Sequence, residues 1–194
     1  MNLKKGFTNS GRTTSHHLEV TLTRGSSVES IHRVHAVISD SKGRVLMKAG
    51  SSELETFIRS AQKPFQALPF LSSGAAEQMN CGERGLAIAC SSHEGTPVHA
   101  REAFKILWKA EIDVNALQCP VPKKGVSPLE HNCSGKHAAF LATCKKMGWP
   151  LDSYLQGKHP LQIEITRRVA ELLKLPQEEL IAARDDCGAP TLRL

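Results

Sequence analysis

Ser60-Ala-Gln-Lys63 sets a hydroxyl and an amine three residues apart. At a helix start, positions i and i+3 share a face, so Lys63 can reach the Ser60 hydroxyl. A neutral lysine can take the serine proton and leave a nucleophile. Burial and neighbouring cations would favour that neutral form. The spacing is short and matches easily: Ser39-Asp-Ser-Lys42 fits it too, but within turn chemistry. Taken alone, Ser60 also reads as a plain helix N-cap.

Two further stretches concentrate polar chemistry. Ser91-Ser-His-Glu-Gly-Thr-Pro97 puts two serines and His93 ahead of a proline-started helix, where such residues serve either as caps or as part of a site. His131-Asn-Cys-Ser-Gly-Lys-His137 packs two histidines, a cysteine and a lysine into seven residues. Cys133, Cys187 and a histidine are a possible zinc set. The plainer alternative is a buried thiol beside a polar helix start. Other motifs fail on spacing. His93-Glu94 lacks a second histidine one helical turn on, which excludes the zincin arrangement. Gly135-Lys136 is followed by His137 rather than Ser or Thr, which excludes a phosphate-binding loop. No Cys-x-x-Cys occurs, so neither a thioredoxin-like pair nor a zinc ribbon is present.

These residues need elements to hold them. Leu18 to Thr23 alternates apolar and polar, as a strand does. Ile31 to Asp40 reads as a second strand, Ser39 to Gly43 as a turn, and Arg44 to Lys48 as the returning strand. The spacing predicts a helix over 61–76, with Pro64 near its start and Pro69 kinking or dividing it. Further helices are predicted over 97–111, 135–147 and 160–175, the last two stopped by Gly148 and by Pro176. Cys119 to His131 holds three prolines and reads as a loop, and Asp185 to Pro190 as a turn before a new alternation. Residues 1–16 read as a disordered leader and 17–194 as the folded part.

Composition narrows the function classes. The chain has 194 residues, 40% hydrophobic and 23% charged, which suits a water-soluble globular protein. No apolar run approaches the ~18 residues of a membrane span, and no apolar segment backs the N-terminal charges as in a secretory signal. The net charge of +6 comes mostly from residues 1–50, with eight Lys/Arg against three Asp/Glu. Aromatics at 5% are too few for a base-stacking surface, so nucleic acid is not an expected partner. Six cysteines without a signal peptide suggest a reducing, cytoplasmic setting.

Arg59-Ser-Ala-Gln-Lys-Pro-Phe-Gln66, Ser91 to Pro97, His131 to His137 and Asp185-Asp-Cys-Gly-Ala-Pro190 occur in that order. With Thr23-Arg-Gly25 and Val28 to Arg33, they resemble the asparaginase II family of the Rhizobium etli inducible type. The resemblance runs from about Leu18 to Leu194. It implies an L-asparagine amidohydrolase that releases aspartate and ammonia. It implies an α+β fold similar to serine β-lactamases and glutaminases, with an antiparallel sheet packed by helices. Carried over by motif, Ser60 is the nucleophile, Lys63 its base and Ser92 a second active-site serine. Arg59, His93, His137 and Asp185 fall among substrate or supporting groups. Cys133, Lys136 and Cys187 match the zinc ligands, with water completing the site. Lysine ligates as the neutral amine, which the cation favours. A homodimer is the default assembly.

Two departures stand out. The family usually has Gly where this chain has Asp186. The alternation after Pro190 breaks off at Leu194, so the expectation is a domain lacking its C-terminal portion, which in the family carries another active-site lysine. A catalytically inactive zinc-binding or interaction fragment is therefore the competing expectation. A penicillin-type acyl hydrolase would rest on Ser60 and Lys63 alone, and the other three motifs disfavour it.

Overall fold

The computed structural model describes residues 13–14 and 16–194. Most of the expected leader therefore lies outside the described residues. The chain divides into two compact units, Met1–Glu55 and Thr56–Leu194.

The first unit is built of strands. Thr13–Thr14 (β1), Leu18–Arg24 (β2), Ser27–Val34 (β3), Ala36–Ser39 (β4) and Val45–Ala49 (β5) follow in order. β2 and β3 form an antiparallel hairpin with Leu18 opposite Val34 and Arg24 opposite Ser27. Its two-residue turn uses Gly25 at a φ of 60°, a conformation that hairpin turns require. β4 pairs antiparallel with β5, and β1 pairs parallel with β5. The strand expected over 31–40 is therefore two strands in two sheets. The break falls at His35, whose Nδ1 accepts the Ser51 N–H at 2.9 Å. The expected turn is present: Asp40 Oδ1 accepts the N–H groups of Lys42 and Arg44 at 2.9 Å each.

The second unit is mostly helical. Prolines divide the helix expected over 61–76. A 3₁₀ turn Arg59–Gln62 leads into α1 (Lys63–Gln66) and α2 (Leu68–Ser72); α3 (Ala75–Gln78) follows a left-handed Gly74. Pro69 has no N–H to give to the Phe65 carbonyl, so the ladder is interrupted there. α4 (Glu83–Cys90) covers an apolar run for which the sequence offered no helix boundary. α5 (Pro97–Lys109) buries Ala103, Ile106 and Leu107, spaced as one helix face. α6 (Ser134–Met147) is buried from Ser134 through Cys144, so it runs through the core instead of lying on it. Its small residues Gly135, Ala138, Ala139 and Ala142 allow close approach on every side. A Cβ at Gly135 would overlap the Ile88 carbonyl of α4. Gly148, at φ 68°, ends α6, and the Trp149 N–H closes on the Cys144 carbonyl at 2.8 Å, as in a Schellman cap. α7 (Pro160–Leu173) is capped by His159 Nδ1, which accepts the Leu161 N–H. It ends two residues before the expected boundary, at a left-handed Lys174.

Ile181–Arg184 (β6) and Pro190–Arg193 (β7) form a hairpin around the Asp185–Ala189 turn. Residues 56–58 pair with the other edge of β7. The architecture is mixed helix and small, mainly antiparallel strand pairs, consistent with the α+β expectation. Among the described residues no helix is long and apolar enough to cross a membrane.

Candidate active site

The 3₁₀ turn Arg59–Gln62 is fastened to β7. Gln62 Oε1 accepts the Leu192 N–H at 3.0 Å, and Gln66 Nε2 donates to the Pro190 carbonyl at 3.0 Å. The Arg59 N–H donates to Thr191 Oγ1 at 3.1 Å. Both glutamines are buried, so these bonds replace lost hydration and fix the turn. Arg59 itself has a φ of 46°. Side chains other than glycine adopt this left-handed region rarely, and often at functional positions.

Ser60 follows, exposed, inside the turn rather than at its cap. Its hydroxyl accepts the Ser92 O–H at 2.9 Å. Ser92 Oγ in turn accepts from Lys63 Nζ at 2.8 Å. Lys63 also donates to the carbonyls of Ser91 at 2.9 Å and Asn132 at 3.2 Å. The lysine thus reaches Ser60 through Ser92, whereas sequence spacing suggested direct contact. Lys63 is only 1% exposed. That burial pushes its pKa below the ordinary lysine value; Lys136 adds to the effect, and Cys133 opposes it. The three contacts suit both forms of the amine. Two carbonyls accept the two N–H bonds of a neutral amine, and the lone pair faces a hydroxyl that can donate. Loss of one proton from Lys63 would reverse the chain, so that Ser60 donates to Ser92 and Ser92 to Nζ.

Behind this chain, at the start of α6, lies a second cluster. Cys133, Lys136 and Cys187 are all buried, and Lys136 Nζ donates to Cys187 Sγ at 3.2 Å. The two thiols behave as one pair. Cys133, with His137 and Lys136, holds the Cys187 thiol below its ordinary value against the opposing effect of burial. Cys133 is pushed correspondingly up. His137 is fully buried. Its Nδ1 lies 2.7 Å from the Tyr154 hydroxyl, which accepts the Gln118 N–H at 2.9 Å. A hydroxyl that gives its proton to Nδ1 leaves the ring proton on Nε2. That atom is buried with no hydrogen-bond partner.

His93 is also buried. Its Nδ1 accepts the Gly95 N–H at 3.1 Å and its Nε2 faces Ser134 Oγ at 3.1 Å. It therefore ties the Ser91–Gly95 segment to the start of α6. Gly95, at φ 70°, lies against the Glu130 carbonyl, where a Cβ would overlap. Asp185 and Asp186 both accept from Arg59 Nη2, at 2.9 and 2.8 Å.

A family model described as L-asparaginase II matches residues 20–194. The chain belongs to that family. Among curated proteins none matches. Family membership supports an asparaginase-type hydrolase acting on a small molecule.

All ten residues singled out from the sequence lie in the second unit of this asparaginase-family chain. Hydrogen bonds join Ser60, Lys63 and Ser92 in one group, and Arg59 and Asp185 in another. Cys133, Lys136 and Cys187 form a third, with His137 beneath it. His137 is closed off from solvent and His93 nearly so, which gives both supporting places. Sequence reasoning missed the Ser91 and Asn132 carbonyls, because backbone acceptors carry no residue signature. It also missed Gln62, Gln66 and Tyr154. Gln62 and Gln66 fall at i and i+4 within the quoted motif, a spacing that could have flagged one buried face.

The donor set fits zinc in kind: two sulfurs and an amine, all buried. Among the described residues no three His, Cys, Asp or Glu side chains converge on a common point, so any metal here depends on the lysine.

Proposed function

We propose that the chain is an L-asparagine amidohydrolase with Ser60 as nucleophile. The observation that carries the reading is the continuous Lys63–Ser92–Ser60 hydrogen-bond chain in a member of an asparaginase family. Ser60 Oγ forms a bond to the side-chain amide carbon of asparagine. Its proton passes to Ser92, and the Ser92 proton passes to neutral Lys63. The backbone N–H of Ser60 is the candidate oxyanion donor. Collapse breaks the C–N bond, and the proton returns through Ser92 to the leaving ammonia. Water then attacks the acyl-enzyme with the same groups as base, releasing aspartate and restoring the Ser60 hydroxyl.

Cys133, Lys136 and Cys187 are the residues that would hold zinc, with His137 supporting Cys187. Bound there, zinc supplies a fixed positive charge that helps to hold substrate. The β-lactamase- and glutaminase-like architecture, a homodimer and a cytoplasmic setting belong to the same proposal.

Ammonia release from L-asparagine by the purified chain tests it. Turnover is expected, and it should fall by about 10²–10⁴-fold in Ser60→Ala and in Lys63→Ala. Full activity in either variant would refute these roles. No turnover by a folded, zinc-loaded chain would favour the inactive zinc-binding alternative.

A further inference from the structure

Arg59 directly precedes Ser60, and its side chain is 59% exposed. Two carboxylates share its Nη2, and they are not equivalent. Asp185 is built in: its side chain is only 13% exposed, its N–H donates to the Ala189 carbonyl, and its Oδ1 also accepts the Asp186 N–H. Asp186 is 90% exposed, and among the described residues its carboxylate bonds to the Arg59 guanidinium alone. Two carboxylates on one guanidinium leave the group with a net charge of −1. Both hold the arginine in its charged form, with the Asp186 bond the larger influence.

An α-amino acid amide brings a carboxylate of its own, and Arg59 is an exposed cation next to the nucleophile. Arg59 offers planar, paired donors that suit a carboxylate. We propose that Asp186 is an internal competitor for Arg59, a specificity-determining residue that weakens binding of substrates carrying a free α-carboxylate. This inference rests on the asparaginase reading, which supplies that carboxylate. Substrate displaces the Asp186 side chain from Nη2, while Asp185 stays and keeps the guanidinium oriented. The penalty is modest because exposed ion pairs contribute little in water.

The test is calorimetric titration of L-asparagine into the full chain carrying Ser60→Ala, which prevents turnover, with and without Asp186→Asn. L-Asparagine should bind roughly two- to fivefold tighter to the Asp186→Asn protein, whose neutral side chain no longer competes as an anion for Arg59. Asp186→Glu should restore the weaker affinity. L-asparaginamide, which lacks the α-carboxylate, should bind both proteins equally. A merely structural role for Asp186 predicts weaker binding of both ligands. Equal or weaker asparagine binding after Asp186→Asn overturns the inference alone. Asparagine binding by neither protein overturns the asparaginase reading and the inference with it.

Discussion

In the proposed mechanism Ser92 is the relay, because Lys63 meets Ser60 only through it in the hydrogen bonds observed. Ser92→Ala should therefore cost about 10²–10⁴-fold in kcat while leaving the circular dichroism spectrum unchanged. A variant with near-normal kcat would mean that Lys63 serves Ser60 by another route. His93 gives a stability prediction. Burial, then His99, Lys63 and His131, hold its pKa at about 4, against 6.5 for the free side chain. Between those values the unfolded chain binds the proton and the folded one does not. The contribution of neutral His93 is complete above about pH 6.5 and is lost as the pH falls towards 4. The urea midpoint should drop between pH 7.5 and 5, and drop less in His93→Gln; equal slopes would contradict this. The residue types at the site were legible in the sequence, since Ser60, Lys63, Ser92, Cys133 and Cys187 each fall in a short polar motif. Their connections were not. Lys63 and Ser92 are 29 positions apart, and Arg59 and Asp186 are 127 apart. Such pairs are set by packing, which local spacing does not encode.

At the scale of elements, α6 carries the site from below, since Cys133 caps it and Lys136 and His137 lie in its first turn. Its fit against α4 depends on Gly135. Gly135→Ala places a Cβ against the Ile88 carbonyl and should destabilise the unit by about 1–3 kcal/mol. Leu141, fully buried in the same helix, should cost about 2–5 kcal/mol as alanine. Urea unfolding reads both, and a value near zero in either would mean that the core relaxes around α6 more than close packing allows. Helices with proline at the start and glycine at the end were legible, as α5 and α6 show. α4 was not, because Gly82 and Ser91 flank it without a side-chain cap. The division of 31–40 at His35 was equally hidden, since both halves have strand-like composition.

For the whole molecule, the two units differ in what they bury. The second encloses the core of Phe70, Leu107, Phe140, Leu141 and Leu161. The first exposes Leu18, Val20, Leu22, Ile31, Ile38 and Leu46. Apolar exposure on that scale attracts hydrophobic dyes. Removal of residues 1–55 should lower anilinonaphthalene sulfonate fluorescence and leave one cooperative thermal transition for Thr56–Leu194; dye binding retained in full would place the exposed apolar surface elsewhere. The β7 latch on Gln62 has a further consequence in time. The bonded residues are separated by 130 positions, and a ribosome adds roughly 5–20 residues per second. The Arg59–Gln62 turn is thus made some 7–26 s before the strand that fastens it. Through that interval the turn that carries Ser60 lacks its bonds to β7, which form only once residues 190–193 emerge.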